Sequence, residues 1–144
     1  MLMISTNCYQ VKLTEILSEH KLFLWLAIIW TAIIAVLCLV NFNDLPSVQV
    51  SFSDKIGHFV FHYGLTTLWF LYYKFQRSNP KVKALLKAFL FSLFYGIAIE
   101  ISQALFTDSR KADVFDVLAN MTGSILAVST LLLLQMKRKK STIT

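Results

Sequence analysis

Four long apolar runs, separated by short polar connections, occupy most of this chain. Residues 22–40 carry no charged side chain. Residues 57–73 hold no Asp, Glu, Lys or Arg and only two imidazoles, His58 and His62. Residues 84–106 contain Lys87 near their start and then Glu100 and Gln103, and residues 114–136 contain Asp116 and Asn120. A helix needs about 20 apolar residues to cross ~30 Å of hydrocarbon, and each run comes near that length. None sustains the period-two alternation of a strand, and an open sheet edge could not satisfy its backbone in lipid. The pattern predicts an all-α fold, an integral membrane four-helix bundle. Pro46 and Pro80 fall between the runs, where a missing N–H does little harm.

Composition agrees. With 56% hydrophobic and 15% charged residues and a mean hydropathy of +0.61, the 144-residue chain is too apolar to form one water-soluble domain. Ahead of the first run, Tyr9, Leu13, Ile16 and Leu17 recur at helical spacing between Lys12, Glu15 and Glu19, as in a short helix lying on a membrane surface. The chain therefore divides into an interfacial segment (1–21), a transmembrane domain (22–136) and a basic tail (137–144). Cys8 and Cys38 do not make a disulfide framework. The first run is too long for a cleaved secretory signal and reads as a retained anchor.

Basic residues set the expected orientation. Lys12 and Lys21 precede the first run, Lys74, Arg77, Lys81, Lys83 and Lys87 surround the second connection, and Lys137-Arg138-Lys139-Lys140 follow the last run. The other two connections hold only Lys55, Arg110 and Lys111. Lys and Arg are retained on the cytoplasmic side, so both termini are expected there. The basic segments would meet anionic lipid. No aromatic–basic motif accompanies the net charge of +6, so no nucleic-acid partner is expected.

This topology places every polar motif on the outer side: Asp54-Lys55-x-x-His58 opening the second span, Glu100-x-x-Gln103 near the end of the third, and Arg110-x-x-Asp113-x-x-Asp116-x-x-x-Asn120-x-x-Gly123 entering the fourth. An ionisable side chain at the centre of a transmembrane helix costs roughly 2.5–3.5 kcal/mol on insertion scales, so several together imply mutual pairing or a functional site. Asp54, His58 and His62 step by four along one helix face, a spacing that suits metal ligands, with Glu100 and Asp116 able to complete a shell. Histidines hydrogen-bonded in a helix seam are the commoner outcome, and no metal is assigned. Glu100 wants a cation, with Lys55 and Arg110 the nearest expected. Asp113 or Asp116 can cap the fourth helix. Gly57, Gly64, Gly96 and Gly123 can admit a neighbouring helix.

Together these residues, over roughly 54–128, resemble the VanZ-like family. The chain departs from the commoner pattern at Thr107-Asp108-Ser109, which lacks a Pro or Gly before Arg110, and at Val128, where a second Gly is frequent. The resemblance implies a small bacterial membrane protein and brings teicoplanin-type glycopeptide resistance into view as a role. The expected function is binding of, or action on, a cell-envelope lipid headgroup or a glycopeptide. Lys55 and Arg110 would hold anionic oxygens. His58, Glu100 and Asp116 would donate or accept protons, Gln103 and Asn120 would orient them, and Asp54 and Asp113 would contribute to binding. Whether the protein is an enzyme, what cofactor it uses and whether it forms a homo-oligomer stay open at this point. The alternative is a non-catalytic protein in which the same residues form a helix-packing seam.

Overall fold

The computed structural model describes residues 3–39, 51–75, 80–106 and 113–141, with side chains described at 19–39, 54–75, 80–106 and 113–137. They form α1 (Met3–Leu39), α2 (Ser51–Phe75), α3 (Lys81–Phe106) and α4 (Val114–Ser141). No strand occurs among the described residues, so the fold is the all-helical, four-helix one expected. One continuous helix, α1, covers both the amphipathic stretch and the first apolar run.

Among the described residues, three segments are long and apolar enough to cross a membrane: Glu19–Leu39, Lys81–Phe106 and Val114–Lys137. The fourth helix, α2, is long enough at 25 residues but more polar. Its position explains the difference. α2 packs against α1, α3 and α4, most extensively against α4, whereas α1 does not reach α4. A helix enclosed by three others meets their polar groups, so it can carry His58, His62 and Thr66 in buried positions. The outer helices point apolar side chains outward instead, among them Trp25, Phe94 and Leu133. Lipid is the solvent that suits such a surface.

Small residues set the helix spacing. A Cβ on Gly123 would stand 2.2 Å from the carbonyl oxygen of Phe59, so α4 lies directly on the α2 backbone. Gly64 makes room for the Trp30 indole, whose N–H donates to the Phe61 carbonyl at 3.0 Å. Trp69 donates to Thr31 at 3.2 Å and Tyr95 to the Thr31 carbonyl at 2.6 Å, tying α2 and α3 to α1. Trp30 and Trp69 are therefore packing residues, and Trp25 faces outward. One apolar cluster gathers Ile34, Cys38, Leu65 and Ile99. A second, Phe70 with Ala84, Leu85 and Ala88, closes the end of the bundle opposite the start of α2.

Local signals fix the helix starts. The Pro80 carbonyl accepts the Ala84 N–H at 3.0 Å to open α3. The Asp113 carboxylate accepts the Phe115 N–H at 2.8 Å, and its carbonyl accepts the Asp116 N–H at 3.0 Å, so Asp113 is the α4 cap and Asp116 is released for other contacts.

Candidate functional site

The start of α2, the end of α3 and the start of α4 meet at one end of the bundle, and the polar residues singled out in the sequence converge there. Lys55 donates to Asp113 Oδ2 at 2.7 Å and to Asp116 Oδ1 at 3.1 Å, joining α2 to α4. The second oxygen of Asp116, Oδ2, lies 3.9 Å from His58 Nε2. His58 Nδ1 is 3.2 Å from Asn120 Oδ1. A carboxamide oxygen can only accept, so Nδ1 carries a proton and Nε2 is turned toward Asp116, as a lone pair in the neutral ring or as a second N–H in the imidazolium. Glu100 accepts the Asp113 N–H through Oε1, while Oε2 is buried without a hydrogen-bond partner among the described residues.

Exposure falls with depth. The side chains of Asp113 and Lys55 are 39% and 31% exposed, that of Asp116 is 10% exposed, and His58 and Asn120 are buried. The site is a polar cluster at one end of the bundle, with the Phe70 cluster at the other. Exposed apolar side chains of Ile56, Leu105, Phe106, Val114 and Phe115 surround its open end.

A hydrogen-bonded row continues one turn deeper. Ser124 donates to the Asn120 carbonyl at 2.9 Å, and Ser92 and Ser124 lie 2.9 Å apart. The Ser124 proton being committed, Ser92 donates to Ser124 and accepts from His62 Nδ1 at 2.8 Å. The proton order therefore makes His62 the donor toward Ser92, leaving its Nε2 buried and unpartnered among the described residues. A serine whose proton points away from the imidazole is not an activated nucleophile. This contact is structural.

The expected set is thus largely assembled. Asp54, Lys55, His58, Glu100, Asp113, Asp116 and Asn120 gather at the open end. Gln103 sends its amide N–H to the Cys38 carbonyl at 3.0 Å and so fastens α3 to the end of α1. His62 belongs to the serine row, not with the ligand-type group. Arg110 and the turn before it lie outside the described residues. Sequence reasoning missed Ser92 and Ser124, although the steps Ser92-Gly96-Glu100 and Asn120-Ser124 continue the polar stripes by fours.

Asp113 gives a pH test. Its hydrogen bond to the Lys55 ammonium, helped by the Phe115 N–H, holds its carboxyl below the usual carboxylate range. A depressed folded-state pKa contributes stability above the unfolded value, about 4, that is lost as pH falls through the folded one. Asn at this position preserves the cap but not the charge. Thermal unfolding in detergent should therefore show wild type above Asp113→Asn at neutral pH, with the two midpoints converging as pH falls below the ordinary carboxylate range.

Three apolar spans around a polar, centrally packed helix define a small helical membrane protein with a cluster of ionisable residues at one end. The VanZ/LLP1 family model matches residues 21–135. The chain belongs to that family. No curated protein and no solved structure shows a significant match.

Proposed function

We propose that this polar cluster, through its exposed end, binds the headgroup of a cell-envelope amphiphile, on the outer face of a bacterial cytoplasmic membrane. The supporting observation is its charge balance. Among the described residues, Asp54, Glu100, Asp113 and Asp116 stand against Lys55, whose ammonium already serves Asp113 and Asp116. A site richer in carboxylates than in cations favours hydroxyls or an amine over a phosphate, so a sugar or amino headgroup suits it best. The lipid chains would lie along the apolar side chains at the open end. The distribution of lysines supports the orientation: Lys74, Lys81, Lys83, Lys87 and Lys137 belong to the opposite end of the bundle, which the positive-inside rule turns to the cytoplasm.

Glycopeptides join sugars and amines to an apolar scaffold, so teicoplanin-type resistance is a role that the same chemistry could serve. His58, Glu100 and Asp116 are the groups that would move a proton if the headgroup is transformed. The second reading is a packing seam, favoured by the fact that the Lys55, His58 and Asn120 bonds all join different helices.

Native mass spectrometry of detergent-purified protein tests the proposal. Wild type is expected to carry a sugar- or amine-headed lipid. Glu100→Gln, which keeps shape and the bond from the Asp113 N–H, is expected to lose it by about tenfold or more without a fall in unfolding temperature, equivalent to ~1.4 kcal/mol of binding. Loss of folding together with occupancy favours the seam. Equal occupancy in both proteins removes Glu100 from the site.

A further inference from the structure

The three residues Asp54, His58 and Asp116 each turn one ligand-type atom to a common point, all within 4.8 Å of one another. We propose that this point is a site for a divalent transition-metal ion of the Zn²⁺ or Mn²⁺ class. The group is not a simple acidic patch. It combines an imidazole with carboxylates, a donor mixture that suits ions between the hard Mg²⁺ and Ca²⁺ and the thiolate-seeking metals.

The deduced proton positions support an ion. His58 Nδ1–H donates to Asn120 Oδ1, so the neutral ring offers its Nε2 lone pair toward Asp116 Oδ2 across 3.9 Å. Something positive between those two atoms, a proton on Nε2 or a metal ion, makes the contact favourable, and the Asp54 carboxylate beside them supplies the third ligand atom that an ion uses and a proton does not. A metal about 2.0–2.2 Å from each would span the gap at a bent angle and draw the two atoms slightly together. The Asn120 bond then has the orienting role usual behind a metal-bound histidine, fixing the tautomer and the ring plane. The carboxylate is divided suitably: Oδ1 of Asp116 holds Lys55 and Oδ2 is turned to the gap.

A separate observation comes from α3. Glu100 is only 5% exposed, its Oε2 has no partner among the described residues, and it lies within electrostatic reach of both His58 and Asp116. A buried carboxylate oxygen without a hydrogen bond is costly, and a cation beside it removes the cost. The ion would bring two positive charges to a place where four carboxylates face one ammonium among the described residues. It would also offer an open coordination position to a headgroup hydroxyl, although ion binding itself does not depend on the headgroup proposal.

The test uses full-length protein, stripped with chelator in detergent, and titrated separately with Zn²⁺ and Mn²⁺ without added lipid. Native mass spectrometry counts ions, and unfolding temperature reports their effect. One ion per chain is expected for at least one metal, with a rise in unfolding temperature. Affinity should fall at least ~10-fold in His58→Gln, Asp116→Asn and Asp54→Asn, and by a comparable factor in Asn120→Ala. Asp54 is exposed at the open end, so its variant tests the site even if a buried substitution fails to fold. The proposal is overturned if neither metal binds stoichiometrically, or if the ion binds Asp54→Asn and Asp116→Asn as tightly as wild type. Lipid carried by chelator-stripped protein in the same spectra separates the outcomes: lipid without an ion removes only the metal, and an ion without lipid removes only the headgroup.

Discussion

Gly123→Ala should be the most damaging single-methyl change in this protein, lowering stability by about 3 kcal/mol or more, the upper range for overpacked cores. The added carbon would stand 2.2 Å from the Phe59 carbonyl oxygen and 3.2 Å from its Cα. Both obstacles are backbone, so no rotamer change relieves them and α4 must move off α2. The intrinsic gain of replacing a helical glycine, up to about 1 kcal/mol, is outweighed. The other helical glycines give an internal scale. At Gly57 the nearest atom is an ordinary 3.8 Å contact with Phe61, so alanine should be neutral or stabilising. At Gly96 the obstacles are the side chains of His62 and Asn120, at 2.8 and 3.0 Å, which can yield at the expense of the polar row. Thermal unfolding in detergent should rank the alanine variants Gly57 above Gly96 above Gly123. A Gly123→Ala protein as stable as wild type would mean that α2 and α4 do not touch as described.

The same residues show how far a sequence can be read. The helices were legible because apolar runs of membrane-crossing length carry their own signal, and the shared depth of Asp54, His58, Glu100, Asp116 and Asn120 followed from where they sit in alternating spans. The central position of α2 was less so. Its histidines and threonines lower its apolarity relative to its neighbours, a difference that acquires meaning only once three helices are seen to enclose it. Pairing was beyond the sequence altogether. Lys55 was expected near Glu100 and instead bridges Asp113 and Asp116, because Asp113, the cap of α4, lies against the α2 ammonium. Gln103 shares a helical face with Glu100, yet its amide is taken by a carbonyl at the end of α1. Ser92 and Ser124 attracted no attention because an isolated serine in an apolar helix commonly bonds its own backbone, whereas here they meet across helices.

The His58–Asn120 bond separates a binding site from a packing seam. Both residues are buried, so His58→Leu strands the Asn120 amide, and Asn120→Leu removes the acceptor for the His58 Nδ1–H. Each single change should cost about 1–2 kcal/mol, between the usual penalty for an orphaned buried polar group and the smaller values found between membrane helices. The double variant leaves no orphan from this bond, replacing it with apolar contact inside a bundle whose solvent is itself apolar. Its stability should return to within about 1 kcal/mol of wild type, the signature of coupled partners in a double-mutant cycle. Function should not return with it. If the cluster binds a headgroup, the restored, folded double variant lacks both the imidazole and the amide that orients it, and its bound lipid should stay at the reduced level of the single variants. If the polar set is only a seam, whatever lipid or resistance phenotype the wild type shows should recover alongside stability. The comparison is decisive because the two readings agree about the single variants and part company only when packing has been repaired without the chemistry.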